Sequence, residues 1–193
     1  IWDRQLVTHG AILIRKRLDY MQMLSEKAAA FHSGISKGRE ELKIRYLATE
    51  DIQPEDDLDT IRQRFGEKCA RGRSGDIHMG VTMSGPHRDD MEILINGKNA
   101  KSYASQGQQR TLVLALKLAE GDISTAVFDG DAPVYLFDDV LSELDSYRRD
   151  CLLDEMDTRQ VILTTCNTEM TIRNHDLYAM DDDPDHQKKF ILV

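Results

Sequence analysis

One stretch limits the fold more than any other: "APVYLFDDVLSELD", residues 132–145. Val134, Tyr135, Leu136 and Phe137 form a short apolar block that runs straight into Asp138 and Asp139. A polar helical segment follows over 146–157, and then a second β-rich block, "VILTT" (161–165). Two apolar strands separated by a helix cannot be joined as a tight hairpin. They form a parallel βαβ unit, and strands with so little alternation are expected to be buried on both faces. The class is therefore α/β. The two acids fall at the carboxyl edge of the parallel strands, where such sheets gather their ligands.

The remainder of the chain reads as helices and short strands. Ile14, Leu18, Met21, Leu24, Ala28 and Phe31 make one apolar stripe at helical spacing, predicting a helix over 2–31 that "HSGISKG" ends. "ELKIRYLA" alternates Leu42, Ile44 and Tyr46 with charged residues, as a half-buried strand does. Leu58, Ile61, Phe65 and Cys69 restore the helical stripe after an acidic loop, and the turn "RGRSGD" is expected to close it. "IHMGVTM" (77–83) reads as a strand, and Asn96-Gly97 as a hairpin turn between two alternating runs. From Ser105 an apolar helix begins, a Gly/Asp loop spans 121–131, and "FILV" is a last short strand. The seam near 72–85 suggests a helical/α+β lobe over 1–80 and a second part over 81–193.

Composition narrows the function. With 25 basic against 34 acidic residues the net charge is −9, poorly suited to neutralising phosphates, so nucleic acid would need a local basic patch or a partner subunit. No apolar run approaches the roughly 18 residues of a membrane span. Cys69, Cys151 and Cys166 form no CxxC pair and read as reduced thiols of a cytoplasmic protein. Ile1 rather than Met, with Trp2 already in a helical pattern, suggests a piece of a longer protein.

Two motifs carry chemistry. An apolar strand ending in an acid is how P-loop nucleotidases hold magnesium, a hard dication that takes oxygen ligands. Asp138 is the candidate ligand, and Asp139 the residue able to polarise an attacking water. Two aspartates opening a loop or capping a helix are an equal alternative. In "SQGQQR" (105–110), Ser105 is a natural N-cap and Gly107 lets backbone approach closely, at a helix end whose N–H groups suit phosphate. Alone, that too describes an ordinary capped helix. Their order decides between these: a serine-glycine-glutamine helix start, a strand ending in two acids, "SELD", then a partner strand is the order of ATP-binding-cassette heads.

"GPHRDD", "INGKNAKSYASQGQQRTLVLALKLAE" and "LFDDVLSELD" closely resemble the RecF family, bacterial recombination-mediator ATPases related to the SMC proteins. "IWDRQLVTHGAILIRKRL" resembles the helix entering that family's second lobe, so the likeness covers most of the chain. It implies the C-terminal part of an ABC/SMC-type ATPase head joined to a smaller α+β lobe. Asp138 would be the Walker B ligand of Mg2+, and Asp139 would occupy the place of the catalytic glutamate. Ser105, Gln106, Gly107 and Gln108 would be the signature that closes over ATP held by the other subunit of a homodimer. Ser142 to Asp145 resemble the D-loop. Thr165 would stand nearest the position of the switch histidine, able to donate a hydrogen bond but not to take a proton as imidazole does. Aspartate at 139 is one methylene shorter than glutamate, which implies slow turnover. The family further implies DNA repair and replication, binding to duplex DNA at single-strand gaps, loading of RecA with RecO and RecR as partners, and the SOS response.

The phosphate cradle GxxxxGK[ST] occurs nowhere, and "INGKNA" is a hairpin turn rather than a P-loop. The chain by itself is therefore expected neither to bind nor to hydrolyse ATP appreciably, and its strand edges to invite association. A non-catalytic interaction module of an SMC-like complex is the alternative. A metal nuclease would need further acids, such as Asp145 and Asp129, to converge on Asp138 and Asp139. His87, Asp89 and Asp90 of "GPHRDD" fit no common zinc spacing and read as a charged turn. Lys37, Arg39, Lys43 and Arg45 could touch phosphates, as could Arg71 and Arg73, though a solvated face is the commoner explanation for either group.

Overall fold

The computed structural model describes residues 2–48, 52–128, 130–142, 144–156 and 159–164. It divides into two compact units interleaved in sequence, the first comprising 1–26 and 43–94, the second 27–42 and 95–193. Helix α1 (Trp2–Ser36) gives its residues through Glu26 to the first unit and the remainder to the second.

The first unit also holds most of β1 (Leu42–Leu47), α2 (Leu58–Met79) and all but the last residue of β2 (Asp90–Ile95). Its core is Ala11, Ile14 and Leu18 of α1 against Ile52 and against Ile61 and Phe65 of α2. The acidic loop before α2 is a cap: the Asp57 carboxylate accepts from the Thr60 amide at 2.8 Å. Arg15 donates to the carbonyls of Pro54 and Asp56 at 2.8 and 2.7 Å, holding that loop to α1.

Two expectations fail here. Helix α2 does not end at "RGRSGD" but runs on to Met79, so no strand occupies 77–83. It stops at Gly80, whose left-handed backbone (φ 67°) directs its N–H to the Asp76 carbonyl. The alternation of Ile77, Met79, Val81 and Met83 imitated a half-buried strand, yet all four side chains are exposed, Ile77 by 72%. Helix α1 likewise passes through "HSGIS", because Phe31, His32 and Ile35 extend its buried stripe, and it ends only where Lys37 and Gly38 take positive φ.

"GPHRDD" acquires a structural role in the first unit. Gly85 (φ 131°) lies against the Phe65 ring, the Pro86 carbonyl accepts from Arg17, and His87 Nε2 is 2.9 Å from the Thr82 carbonyl. Asp89 accepts from the Tyr46 hydroxyl. The motif pins the segment after α2 to α1 and β1, consistent with the charged turn expected of it.

In the second unit, Asn96 and Gly97 both have positive φ, the backbone a two-residue hairpin turn requires. The returning strand β3 is only Lys98–Asn99, after which the chain becomes α3 (Ala100–Tyr103) rather than continuing to alternate. Helix α4 (Gln106–Val127) is longer than expected, absorbing much of the anticipated loop at 121–131. Strands β4 (Tyr135–Asp138) and β5 (Val161–Thr164) are parallel, with α5 (Ser146–Met156) between them, as the βαβ reading requires. Their register sets Tyr135 beside Val161, Phe137 beside Leu163 and Asp138 beside Thr164.

Burial of this pair is one-sided among the described residues. Tyr135, Phe137, Val161 and Leu163 are buried, as are Leu114, Ala115 and Leu118 of α4 and Leu152 and Met156 of α5, whereas Leu136 is 72% exposed. The expectation of two buried faces is corrected accordingly: the run is apolar at every position, but the described residues cover only one side. The "FILV" strand, the acidic run 180–186, Asp129 and Cys166 lie outside the described residues. Cys69 is half-buried and Cys151 buried. No helix among the described residues is long and apolar enough to cross a membrane.

Candidate functional site

The acid pair ends β4 at the carboxyl edge of the parallel strands. Asp138 is exposed, and its carboxylate accepts from the Thr164 hydroxyl across the register. Asp139 turns the chain with a left-handed backbone (φ 49°), a conformation aspartate tolerates better than most residues. Its amide donates to the Thr164 carbonyl at 3.1 Å and to the Thr164 Oγ1 at 3.0 Å. The loop beyond is tied back, since Ser142 Oγ donates to the Asp139 carbonyl at 2.9 Å. Asp145 then caps α5, accepting from the Arg148 amide at 2.9 Å.

The serine turn is a complete capping box. Ser105 Oγ accepts from the Gln108 amide at 3.3 Å, and Gln108 Oε1 accepts from the Ser105 amide at 2.9 Å. Ser105 and Gln106 are exposed. Among the described residues a Cβ placed on Gly107 would have no neighbour within 4 Å, so none of them requires glycine there. Glycine in a helix costs roughly 0.5–1 kcal/mol relative to alanine. An unforced glycine beside exposed helix-end amides fits a ligand that must come close to the backbone.

An open cleft of about 430 Å³ is lined by Gln106, Gln109, Arg110, Val113 and Leu114 of α4 and by Val140, the residue after the acid pair; Asp138, Asp139, Ser105, Gly107 and Gln108 do not line it. The donor set suits magnesium shared with a phosphate: Asp138 offers hard oxygen and Thr164 a hydroxyl, whereas no group of three acidic, histidine or cysteine side chains able to hold a metal occurs among the described residues. By the same observation, the converging acids that a metal nuclease would need are not found among the described residues.

The chain as a whole resembles known proteins. The chain is 41% identical over 170 residues to the DNA replication and repair protein RecF of Bacillus mycoides (strain KBAB4), and 40% identical to that of Bacillus cereus (strain B4264). Each match covers 88% of the chain and 45% of the relative. A solved structure of the recombination mediator protein RecF with ATP, in the RecFOR pathway, superposes with a TM-score of 0.75 at 35% identity, covering 88% of this chain and 45% of the other. A second RecF structure, with ATPrS, gives 0.73 at 36% identity. Over most of its length this chain is similar to RecF. Its fold is the α/β fold of the matched RecF part, and it spans about half the length of the relatives it matches. No family model matches the chain.

Two features of the site are not legible in the motifs. Thr165 lies outside the described residues, while its neighbour Thr164 is the hydroxyl that meets the acid pair. Only the strand register, not the string "TTC", distinguishes the two. The second feature is polar: Arg148, three residues past Asp145, joins α5 to the serine turn through Glu40. Of the basic cluster, Lys37 and Arg39 lie over the Tyr147 ring at 4.2 and 4.8 Å, and Arg45 is 3.7 Å from Glu92.

Proposed function

We propose that this chain supplies the signature, Walker B and D-loop portion of a RecF-type DNA-repair ATPase, whose nucleotide cradle lies in sequence outside it. The reading is carried by one observation: the acid pair stands at the carboxyl edge of a parallel strand pair, in a chain that shares the fold of RecF solved with ATP. In functional terms the second unit would be head and the first unit, with β1 and α2, the smaller lobe.

Bound ATP with Mg2+ would supply the electrophilic γ-phosphate and neutralise its charge. Asp138 would offer one carboxylate oxygen to the cation while Thr164 holds the other in place. Asp139 would orient water, its position fixed by the two amide contacts to Thr164. Ser105, Gln106, Gly107 and Gln108 would meet the γ-phosphate bound by a second copy, so nucleotide would drive a homodimer, with Asp145 in the loop between the two sites. On this reading the protein acts in DNA replication and repair in the cytoplasm, engaging duplex DNA at gaps and, with RecO and RecR, promoting RecA loading and the SOS response.

Asp139→Asn in the full-length protein tests the assignment. Turnover should fall at least 100-fold while ATP-driven dimerisation, read by sedimentation, persists. Unchanged turnover would refute the catalytic role and leave the acid pair as an interface only. The chain by itself should show no calorimetric ATP binding.

A further inference from the structure

Arg148 opens α5 and reaches three acceptors on two other segments. Its guanidinium donates to Glu40 Oε1 at 2.7 Å, to the Gly107 carbonyl at 3.4 Å, and to the Thr111 hydroxyl. Gln108 Nε2 donates to the same Glu40 oxygen at 3.2 Å. The Arg148 and Glu40 side chains are 16% and 10% exposed, so this is a largely buried ion pair. Thr111, fully buried, in turn donates to the Gly107 carbonyl at 2.9 Å.

A buried pair of this kind is a poor source of stability compared with apolar packing, but breaking it by removing one partner is costly. Its geometry is therefore more informative than its energy. Arginine's planar fork reaches several acceptors at once, which lysine's single ammonium cannot. Each acceptor belongs to the serine turn, to the helix behind it, or to the carboxylate that also holds Gln108. On its other side Arg148 Nε lies 3.4 Å from the Asp145 carboxylate, at the end of the acid loop.

We propose that Arg148 and Glu40 are positioning residues that lock the amino end of α4 to the amino end of α5, so that the serine turn and the acid loop present to nucleotide as one rigid part. The inference rests on the reading given under Proposed function and deepens it, since neither residue touches nucleotide. The two residues are far apart in sequence (|i−j| = 108), and neither belongs to a nucleotide motif.

The test uses the full-length protein with Arg148→Lys, Glu40→Gln, the double variant, and Ser105→Arg as a reference. Arg148→Lys should keep the thermal transition and the nucleotide affinity of the unassociated protein. Its ATP-driven dimerisation and kcat should each fall about tenfold or more. Glu40→Gln, which keeps an acceptor for Gln108, should act in the same direction and decides the matter if Arg148→Lys does not fold. The double variant should be no worse than the poorer single, because both remove one lock. Losses within twofold of wild type for Arg148→Lys and Glu40→Gln, while Ser105→Arg abolishes association, overturn this inference alone. Losses that multiply in the double variant also overturn it. A wild-type protein that does not associate with ATP overturns it together with the reading beneath it.

Discussion

Gly121 and Gly107 lie on the same helix and should respond to the same substitution with opposite signs. A Cβ on Gly121 would sit 1.9 Å from the Tyr135 Oη and 2.4 Å from its Cζ. The phenol cannot readily retreat: it is buried, stacks on Phe137 at 6.1 Å, and donates to the Leu118 carbonyl at 3.4 Å. Overpacking a filled core costs roughly 1–3 kcal/mol, and a contact this short belongs at the upper end. Alanine's better helix propensity returns about 1 kcal/mol. The balance for Gly121→Ala is a loss of about 1–2 kcal/mol, or roughly 2–8 °C in Tm for a chain of this size.

Gly107→Ala meets no neighbour among the described residues and should gain up to about 1 kcal/mol. It should also weaken ATP-driven association tenfold or more by keeping phosphate from the backbone. Urea unfolding followed by circular dichroism measures both stabilities, and Tyr135→Leu in the Gly121→Ala background should recover more than half of the loss. A Gly121→Ala protein as stable as wild type would refute the packing of α4 on β4. A Gly107→Ala protein with full association would refute the reason given for that glycine.

Burial holds the His32 imidazole below its usual 6.5, with Glu40 pulling it up and Arg148 pushing it down. The unfolded chain then takes up a proton that the folded one refuses, so the stabilisation is whole above pH 6.5 and is lost as pH falls through the lowered value. His32→Gln should flatten the fall in urea midpoint between about pH 7.5 and 5.5, by at most about 1.4 kcal/mol per pH unit; slopes parallel to wild type would refute it. Tyr46 is raised to about 12 chiefly by burial and then by its bond to Asp89. Its stabilisation is present below pH 10 and lost as pH rises toward about 12; Tyr46→Phe should remove a late component of an ultraviolet titration and cost about 1–2 kcal/mol. Leu136→Thr should change the stability of this chain by less than about 0.5 kcal/mol, because the side chain is already exposed. It should also reduce self-association in light scattering, whereas a large loss of stability would mean that Leu136 is covered.

The parts of the fold legible in the sequence are those set by neighbours along the chain. Asn96-Gly97 specifies its turn because each residue must take positive φ, and Ser105 with Gln108 specifies a helix start because each side chain caps the other's amide. The strand-helix-strand order around Asp138 needs no distant information either. Where the reading failed, pattern and burial had parted company. Ile77, Met79, Val81 and Met83 alternate as a strand would, but alternation sorts residues only when one side meets a core, and here none does. The helix therefore continues past three glycines and a serine until Gly80 supplies the left-handed stop.

The site shows the same division more sharply. Sequence order alone places two acids at a strand end and a glycine at a helix start, so the residues that would touch nucleotide are visible in it. What holds them is not. Which threonine meets Asp138 depends on the pairing of β4 with β5, and a shift of one residue would exchange Thr164 for its neighbour and turn the hydroxyl to the other face. Glu40 sits in a charged loop that composition cannot distinguish from any solvated one, yet its carboxylate is the point where Gln108 and Arg148 meet. The groups proposed to face a ligand can be named from local motifs because their chemistry is local. The residues that aim them are chosen by packing between distant segments, and only the folded chain displays that choice.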